Sequence, residues 1–432
     1  MQPLLYSQAM DSLPLSASLL WSAVFCLLLA AGLLTRLWLA GRQMRHVAQH
    51  RAAVPAAFAE RIGLAAHQKA ADYTIAKTRL GLLEGSLGAA ILIGWTLLGG
   101  LHALNQALTL WLGPGLVQQL ALLAAFMAIG ALLELPLSWY RSFRLEQHYG
   151  FNRLTPRLWL ADGLKGVLIG AALGLPLAAL LLWLMDRAGS TWWLWTWGVW
   201  MGFNLLLLLL YPTLIAPLFN RFEPLQDPAL KTRIEALLTR CGFQAKGLFV
   251  MDGSKRSAHA NAYFTGFGPA KRVVFFDTLL QQLAPGEIDA VLAHELGHFK
   301  RRHILQRLAL LAGLSLAAFA LLGWLAQQLW FYTGLGVIPS LTQPNSALAL
   351  ILFLSVLPLL GFFVTPLLSA WSRRHEFEAD AFAAEHADRR DLASALLKLY
   401  QDNASTLTPD PLYVRFYYSH PPAGQRLERL AP

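Results

Sequence analysis

His294-Glu295-Leu296-Gly297-His298 reads H-E-x-x-H in a stretch with helical character, from Pro285 to Arg302. On a helix, positions i and i+4 share one face a turn apart, so two imidazoles at this spacing can reach one zinc ion. Glu295 follows the first imidazole and can lean over the ion's open side. Zinc lowers the pKa of a water held there from about 15.7 to roughly 7, and a carboxylate can then take its proton. With 12 His in 432 residues, such a string is expected by accident on the order of 0.01 times. The flanks suit a helix. Pro285 fits a first turn, where its missing N–H costs nothing. Glu287 and Asp289 lie near the positive end of the helix dipole, and Lys300, Arg301 and Arg302 near the negative end.

Two histidines do not complete the site, because a catalytic zinc usually has three protein ligands and one open position. Downstream candidates are His303, His375, Glu376, Glu378, Asp380, Glu385, His386 and His420. His303 falls about 140° around a continuing helix from His298, and is expected to face solvent or lipid headgroups. Glu376 and Asp380 share a face at i and i+4. They suit a carboxylate ligand and a second carboxylate that orients a ligand imidazole. The residues alone leave Glu376 and Glu378 as alternatives for the ligand.

The elements that must position these groups lie in a membrane. The chain is 56% hydrophobic and 14% charged, with mean hydropathy +0.45, where a water-soluble domain carries about a quarter charged residues. Seven apolar stretches approach the ~20 residues a bilayer-crossing helix needs. They cover 16–40, 80–104, 116–140, 163–186, 191–218, 305–330 and 346–371. Glu134 falls within the third and is expected to face a cavity. Lys and Arg concentrate in 41–79, 141–165, 219–304 and the tail from Arg373, whereas 105–115 and 331–345 carry none. This alternation predicts an outside N-terminus and an inside C-terminus. The net charge of +10 is thereby assigned to loops near anionic lipid, with no nucleic-acid partner required. The first apolar run lacks a basic n-region and is too long for a signal peptide, so it reads as a retained span. Cys26 and Cys241 have no plausible pairing and no C-x-x-C spacing.

The expected organisation is a five-span region over 1–218, a cytosolic catalytic insert over 219–304, two further spans over 305–371, and a cytosolic region over 372–432 that supplies the third ligand. In the insert, Pro228 to Cys241 is predicted as an amphipathic helix, with Leu230, Ile234, Leu237 and Leu238 on one face. Residues 247–251, 260–266 and 272–276 read as strands, the second closed by Gly266-Phe267-Gly268-Pro269. They predict a small antiparallel sheet whose free edge could take up an extended peptide. Residues 373–382 read as a helix continuing inward from the seventh span.

The order of several blocks makes the chain resemble the CAAX prenyl protease type 1 family, integral-membrane zinc metallopeptidases. The blocks are Phe143 to Asn152, Ile215 to Phe222, Gly253 to Ser257, Asn261-Ala262-Tyr263, Phe276 to Leu280, the H-E-x-x-H string, Arg374 to Phe382, and Ser419-His420-Pro421-Pro422. The resemblance implies a mainly α fold of seven transmembrane helices around an intramembrane chamber, with a small cytosolic α+β catalytic region. It implies one zinc per chain held by His294, His298 and Glu376, with Glu295 as general base. It implies Asp380 behind the ligands, His420 as the oxyanion donor, and Asn261 on the peptide-binding edge, with Arg426 assigned to substrate nearby. The implied partners are a bilayer and a peptide or protein substrate, with or without a lipid modification. The Ala/Leu-rich composition and the lack of an endoplasmic-reticulum retrieval tail suggest a bacterial inner membrane, with the site on the cytoplasmic side. Such a source puts the prenylated substrate in question but not the chemistry. Two other readings stand beside this one. One is a quality-control protease of the heat-shock HtpX type, whose members look shorter. The other is a transporter or channel with a structural zinc, although closed structural sites usually take four ligands and favour Cys.

Overall fold

The computed structural model describes residues 2–243, 247–265 and 272–431, and of residues 2–15, 264 and 265 the backbone. The membrane portion begins with α1 (Gln2–Gln49), α2 (Leu64–Trp95), α3 (Gly100–Leu112), α4 (Leu116–Tyr140), α5 (Pro156–Arg187) and α6 (Trp192–Leu210). α7 (Ala216–Phe219) ends the span candidate that contains α6, and the segment after it contains β1 (Phe222–Pro224), α8 (Pro228–Arg240), β2 (Gly247–Met251), β3 (Ala262–Thr265), β4 (Arg272–Phe276), α9 (Asp277–Gln282) and α10 (Pro285–Lys300). Then come α11 (His303–Leu325), α12 (Leu329–Thr333) and α13 (Ser346–His386), followed by α14 (Arg389–Asp402), α15 (Pro411–Tyr417) and α16 (Ala423–Leu430).

The chain is a mainly helical, polytopic membrane protein. Six helices among the described residues are long and apolar enough to cross a bilayer, and α2 with α3 form a seventh candidate bent by 50°. The bend lies inside the expected second span. Leu92 closes the helical ladder onto Thr96, and Gly99 then turns with φ 79°, a conformation that costs glycine little. The chain therefore re-enters a helix at Gly100, and the connection expected over 105–115 is helical as far as Leu112. Glu84, near the start of the expected second span, pairs with Arg141 at 2.5 Å. Glu134 is exposed on α4, outside the linings of the two cavities that share Leu396, Leu399, Ser419, His420 and Arg426.

The insert's sheet is mixed rather than antiparallel. Its order is β1-β2-β4-β3, with β2 and β4 parallel and the outer pairs antiparallel. The parallel step follows from the crossover: β3 is laid down between β2 and β4 in sequence but pairs on the far side of β4. β1, which sequence patterning missed, is only three residues long. This leaves β3 as an edge strand. The turn expected at 266–269 lies outside the described residues.

The two soluble regions share one core. Ile234, Leu237 and Leu238 of α8, Val273 and Phe275 of β4, and Leu292 and Leu296 of α10 pack with Phe382, Leu392 and Leu396. α8 starts on Asp227, whose carboxylate accepts from the N–H groups of Ala229 and Leu230. Glu287 fastens the start of α10. It accepts from the Ala284 N–H and from Lys398 and Ser394, each at 2.7 Å. Lys398, Ser394 and the Ala284 N–H hold the buried Glu287 carboxyl below the usual range, against the desolvation that would raise it.

α10 lies directly on α13 at Gly297. A Cβ there would sit 2.9 Å from the Ala379 Cα and 3.1 Å from both the Ala379 carbonyl oxygen and the Phe382 Cβ. Gly297→Ala should therefore push the helices apart, costing about 1–3 kcal/mol of stability and most of the metal. Thermal unfolding in detergent and metal content are the checks; a variant with wild-type values for both would show that the contact yields freely. The topology is tested by single cysteines in a background lacking Cys26 and Cys241. Positions in 331–345 should label from outside with an impermeant reagent and positions in the tail from inside. Labelling of both from one side would defeat the crossing by α13 on which the seven-span reading depends.

Candidate metal centre

His294 and His298 are carried one turn apart on α10, and Glu376 reaches them from α13 on the continuation of the last apolar span. His294 Nε2 lies 3.4 Å from Glu376 Oε2, and His298 Nε2 lies 3.5 Å from Glu376 Oε1. Their three ligand atoms all lie within 4.8 Å of one another. Glu376 is buried, and its Oε2 makes no hydrogen bond among the described residues. Such an oxygen is costly to leave without a partner.

The far nitrogens fix the tautomers. His294 Nδ1 lies 2.8 Å from Asp380 Oδ1, so a proton there leaves Nε2 free to ligate. Asp380 is held in turn by Arg426, whose Nε donates to Oδ2 at 2.8 Å. Burial works against a charge on His294, but the Asp380 hydrogen bond and the nearby Glu376 carboxylate outweigh it and raise the imidazole to about 9. Desolvation and the neighbouring His294 lower His298 to about 3. The donor set and its tautomers fit zinc: two imidazoles and one carboxylate, with the fourth side left open.

His303 does not face away. The helical phase that would carry it there is broken between Lys300 and His303. Arg302 adopts φ 57° and ψ 30°, and α11 starts afresh. The new helix brings His303 Nδ1 to 2.9 Å from His298 Nδ1 and its Nε2 to 3.0 Å from Glu378 Oε2. The His303 ring stacks on His375 at 3.9 Å between centroids and 4° between planes. With His298 ligating through Nε2, its Nδ1–H donates to His303, whose Nε2–H donates to Glu378. Glu378 thus stands behind His298, as Asp380 stands behind His294. An arginine at positive φ is uncommon, and nothing in the Lys300-Arg301-Arg302 run announces the break.

The other expected residues converge on the same place. Asn261, Glu295, His420 and Arg426 line one cavity of about 450 Å³ with the three ligand candidates. Burial pushes the Glu295 carboxyl up from its usual range. Asn261 is exposed just before β3, with its carbonyl accepting from the Phe276 N–H at 3.0 Å. His420 Nε2 lies 3.4 Å from Glu376 Oε1, on a largely exposed side chain. Its backbone is tied on both sides: Arg373 donates to the Tyr418 carbonyl at 2.6 Å, and the Tyr400 hydroxyl donates to the Pro421 carbonyl at 3.1 Å. Arg426 is buried, with its guanidinium turned to Asp380.

Known proteins share this architecture. Residues 43–221 match the CAAX prenyl protease N-terminal region, described as five membrane helices, and residues 224–432 match peptidase family M48. The CAAX prenyl protease 1 of Saccharomyces cerevisiae is 37% identical over 326 residues, covering 72% of this chain and 72% of that protein. The CAAX prenyl protease 1 homolog of Arabidopsis thaliana is 37% identical over 316 residues, covering 73% and 74%. The crystal structure of S. mikatae Ste24p superposes with a TM-score of 0.89 at 30% identity, over 95% of this chain and 99% of that one.

Purified protein should bind about one zinc per chain. His294→Ala, His298→Ala and Glu376→Ala should each lose it, while Glu378→Ala retains the stoichiometry. His303→Phe keeps a ring against His375 but removes the acceptor for His298, so zinc should bind about 10–100-fold more weakly. Chelator competition measures this. Equal zinc loss in the Glu376 and Glu378 variants would make the ligand assignment wrong, and wild-type affinity in His303→Phe would make the His303 contact idle.

Proposed function

The chain belongs to peptidase family M48, and from that premise we propose that it cleaves lipid-modified protein substrates at a zinc centre held by His294, His298 and Glu376. It is a membrane-embedded metalloendopeptidase related to CAAX prenyl protease 1. One observation carries the residue assignment: three ligand atoms within 4.8 Å of one another in a cavity that Glu295 also lines.

When bound, zinc supplies a Lewis acid that polarises the scissile carbonyl and acidifies water. The chain's own residues do the rest. Glu295 takes the proton of the attacking water and passes it to the leaving amine; its raised pKa brings it nearer the range that suits a base working at neutral pH. His420, on the exposed side of Glu376, donates to the carbonyl oxygen as negative charge develops there. Asp380, clamped by Arg426, keeps His294 in its ligating tautomer. Arg426, expected at the substrate, therefore acts on His294 through Asp380 instead. Asn261 and the open edge of β3 hold the peptide extended by strand addition.

The basic segments support a site on the cytoplasmic side. Composition supports a bacterial inner membrane as its location, whereas the relatives named above are eukaryotic. The five-helix N-terminal match and the near-complete superposition favour this reading over a shorter quality-control protease. Three ligand candidates in a cavity that Glu295 also lines disfavour a closed structural zinc in a transporter.

Turnover and zinc stoichiometry, measured on the same preparations, test the two catalytic roles. Glu295→Gln should keep zinc and peptide binding while turnover falls to near background. His420→Ala should also keep zinc but lose only a transition-state contact, lowering kcat about 10²–10³-fold with little change in substrate binding. Metal loss in His420→Ala would make that histidine a ligand, and an active Glu295→Gln would place the proton acceptor elsewhere.

A further inference from the structure

A second cavity, of about 1150 Å³, lies between α1, α2, α13 and the C-terminal region. Peptide hydrolysis makes no use of its charge. Arg36, Lys77 and Arg426 line it, and its lining among the described residues contains no Asp or Glu. Arg426 is neutralised by Asp380, but Arg36 and Lys77 are held by aromatic rings instead. The Arg36 guanidinium lies 4.7 Å from the Phe362 ring centroid, and the Lys77 ammonium 4.8 Å from that of Tyr73. Glu146, whose carboxylate accepts from the Tyr73 hydroxyl at 2.6 Å, attracts Lys77 at longer range. Among the described residues, no carboxylate lies within ion-pair distance of Arg36 or Lys77.

Loop charge near anionic lipid does not account for Arg36, which stands inside the first apolar span. Ionisable groups at such depth face protein or a water-filled space and mark the path of a ligand. Cations of one sign in a half-enclosed, low-dielectric space focus their attraction on anions. The cavity adjoins the one at the metal site, since Leu396, Leu399, Ser419, His420 and Arg426 line both. A peptide lying across Glu295 thus borders the cationic chamber along the wall that His420 and Arg426 share.

We propose that Arg36 and Lys77 form a docking site for a carboxylate of the peptide substrate, the free C-terminus. This deepens the peptidase reading and rests on it. The chamber then selects substrates cleaved near their C-terminus, because the carboxylate must reach the cations while the scissile bond lies at Glu295.

The test uses zinc-loaded, full-length protein and three S-farnesylated peptides of one sequence. One ends in a free acid, one in a carboxamide, and one in a carboxamide after a terminal Asp. The free acid should show a KM about tenfold below that of the plain carboxamide, the scale of one charged hydrogen bond. Lys77→Met and Arg36→Met should each bring the acid-to-amide ratio of kcat/KM toward one. Rescue of the amide by Asp would support a carboxylate site that accepts either source; no rescue would support recognition of the terminus itself. Equal KM values for acid and amide in the wild type overturn the proposal, and this comparison decides even if a variant fails to fold. Cleavage of none of the three peptides overturns the peptidase reading, and the docking site with it.

Discussion

The metal centre depends on one close approach of two backbones. Imidazoles on α10 and a carboxylate on α13 can share an ion only if the helices nearly touch, and helix axes normally stay 8–10 Å apart because side chains intervene. Gly297 removes the intervening atom between the two histidines. It lies inside the H-E-x-x-H string, so the two candidate imidazole ligands and the residue that lets Glu376 approach them belong to one turn. The middle of the motif is thereby constrained by packing, while its ends are constrained by chemistry.

Around that contact the protein solves an electrostatic problem. Glu376 and Asp380 are both buried, one helical turn apart, and two carboxylates so placed repel each other and lose hydration. Breaking a buried pair by removing one partner typically costs about 3–5 kcal/mol, because the remaining charge is left without compensation. Arg426 supplies the compensation from the last helix of the chain. The tail must therefore fold back over the site before the site can be electrostatically sound. Arg373 binds the Val414 and Tyr418 carbonyls on that return path. The shared core of insert and tail is the packing counterpart of the same requirement.

Much of this was legible in the sequence because it rests on local period and on charge. The apolar spans, α8 with its buried Ile234 and Leu237, the strands at 247–251 and 272–276, and the helix through Glu376 follow from patterns over a few turns. Choosing Glu376 over Glu378 needed the resemblance, since both carboxylates lie within reach by spacing alone. The errors fell where a single residue departs from its usual conformation or where pairing is non-local. The αL turn at Arg302 reversed the place of His303. The bend at Gly99 divided a span that hydropathy reads as continuous. The parallel pairing of β2 with β4 depends on where β3 lies, which no window of a few residues contains.

α13 runs unbroken from Ser346 to His386, with Pro358 and Pro366 inside it. Glu376 stands five residues beyond the end of the apolar stretch at 371, about 8 Å of helix. No loop separates the membrane from the ligand carboxylate, so the span and the active site form one lever. Membrane helices answer a change in bilayer thickness by tilting or kinking, and the two prolines mark where such a bend is easiest. A tilt of the span beyond Pro366 would therefore carry Glu376 with it, since no loop lies between them to absorb the movement.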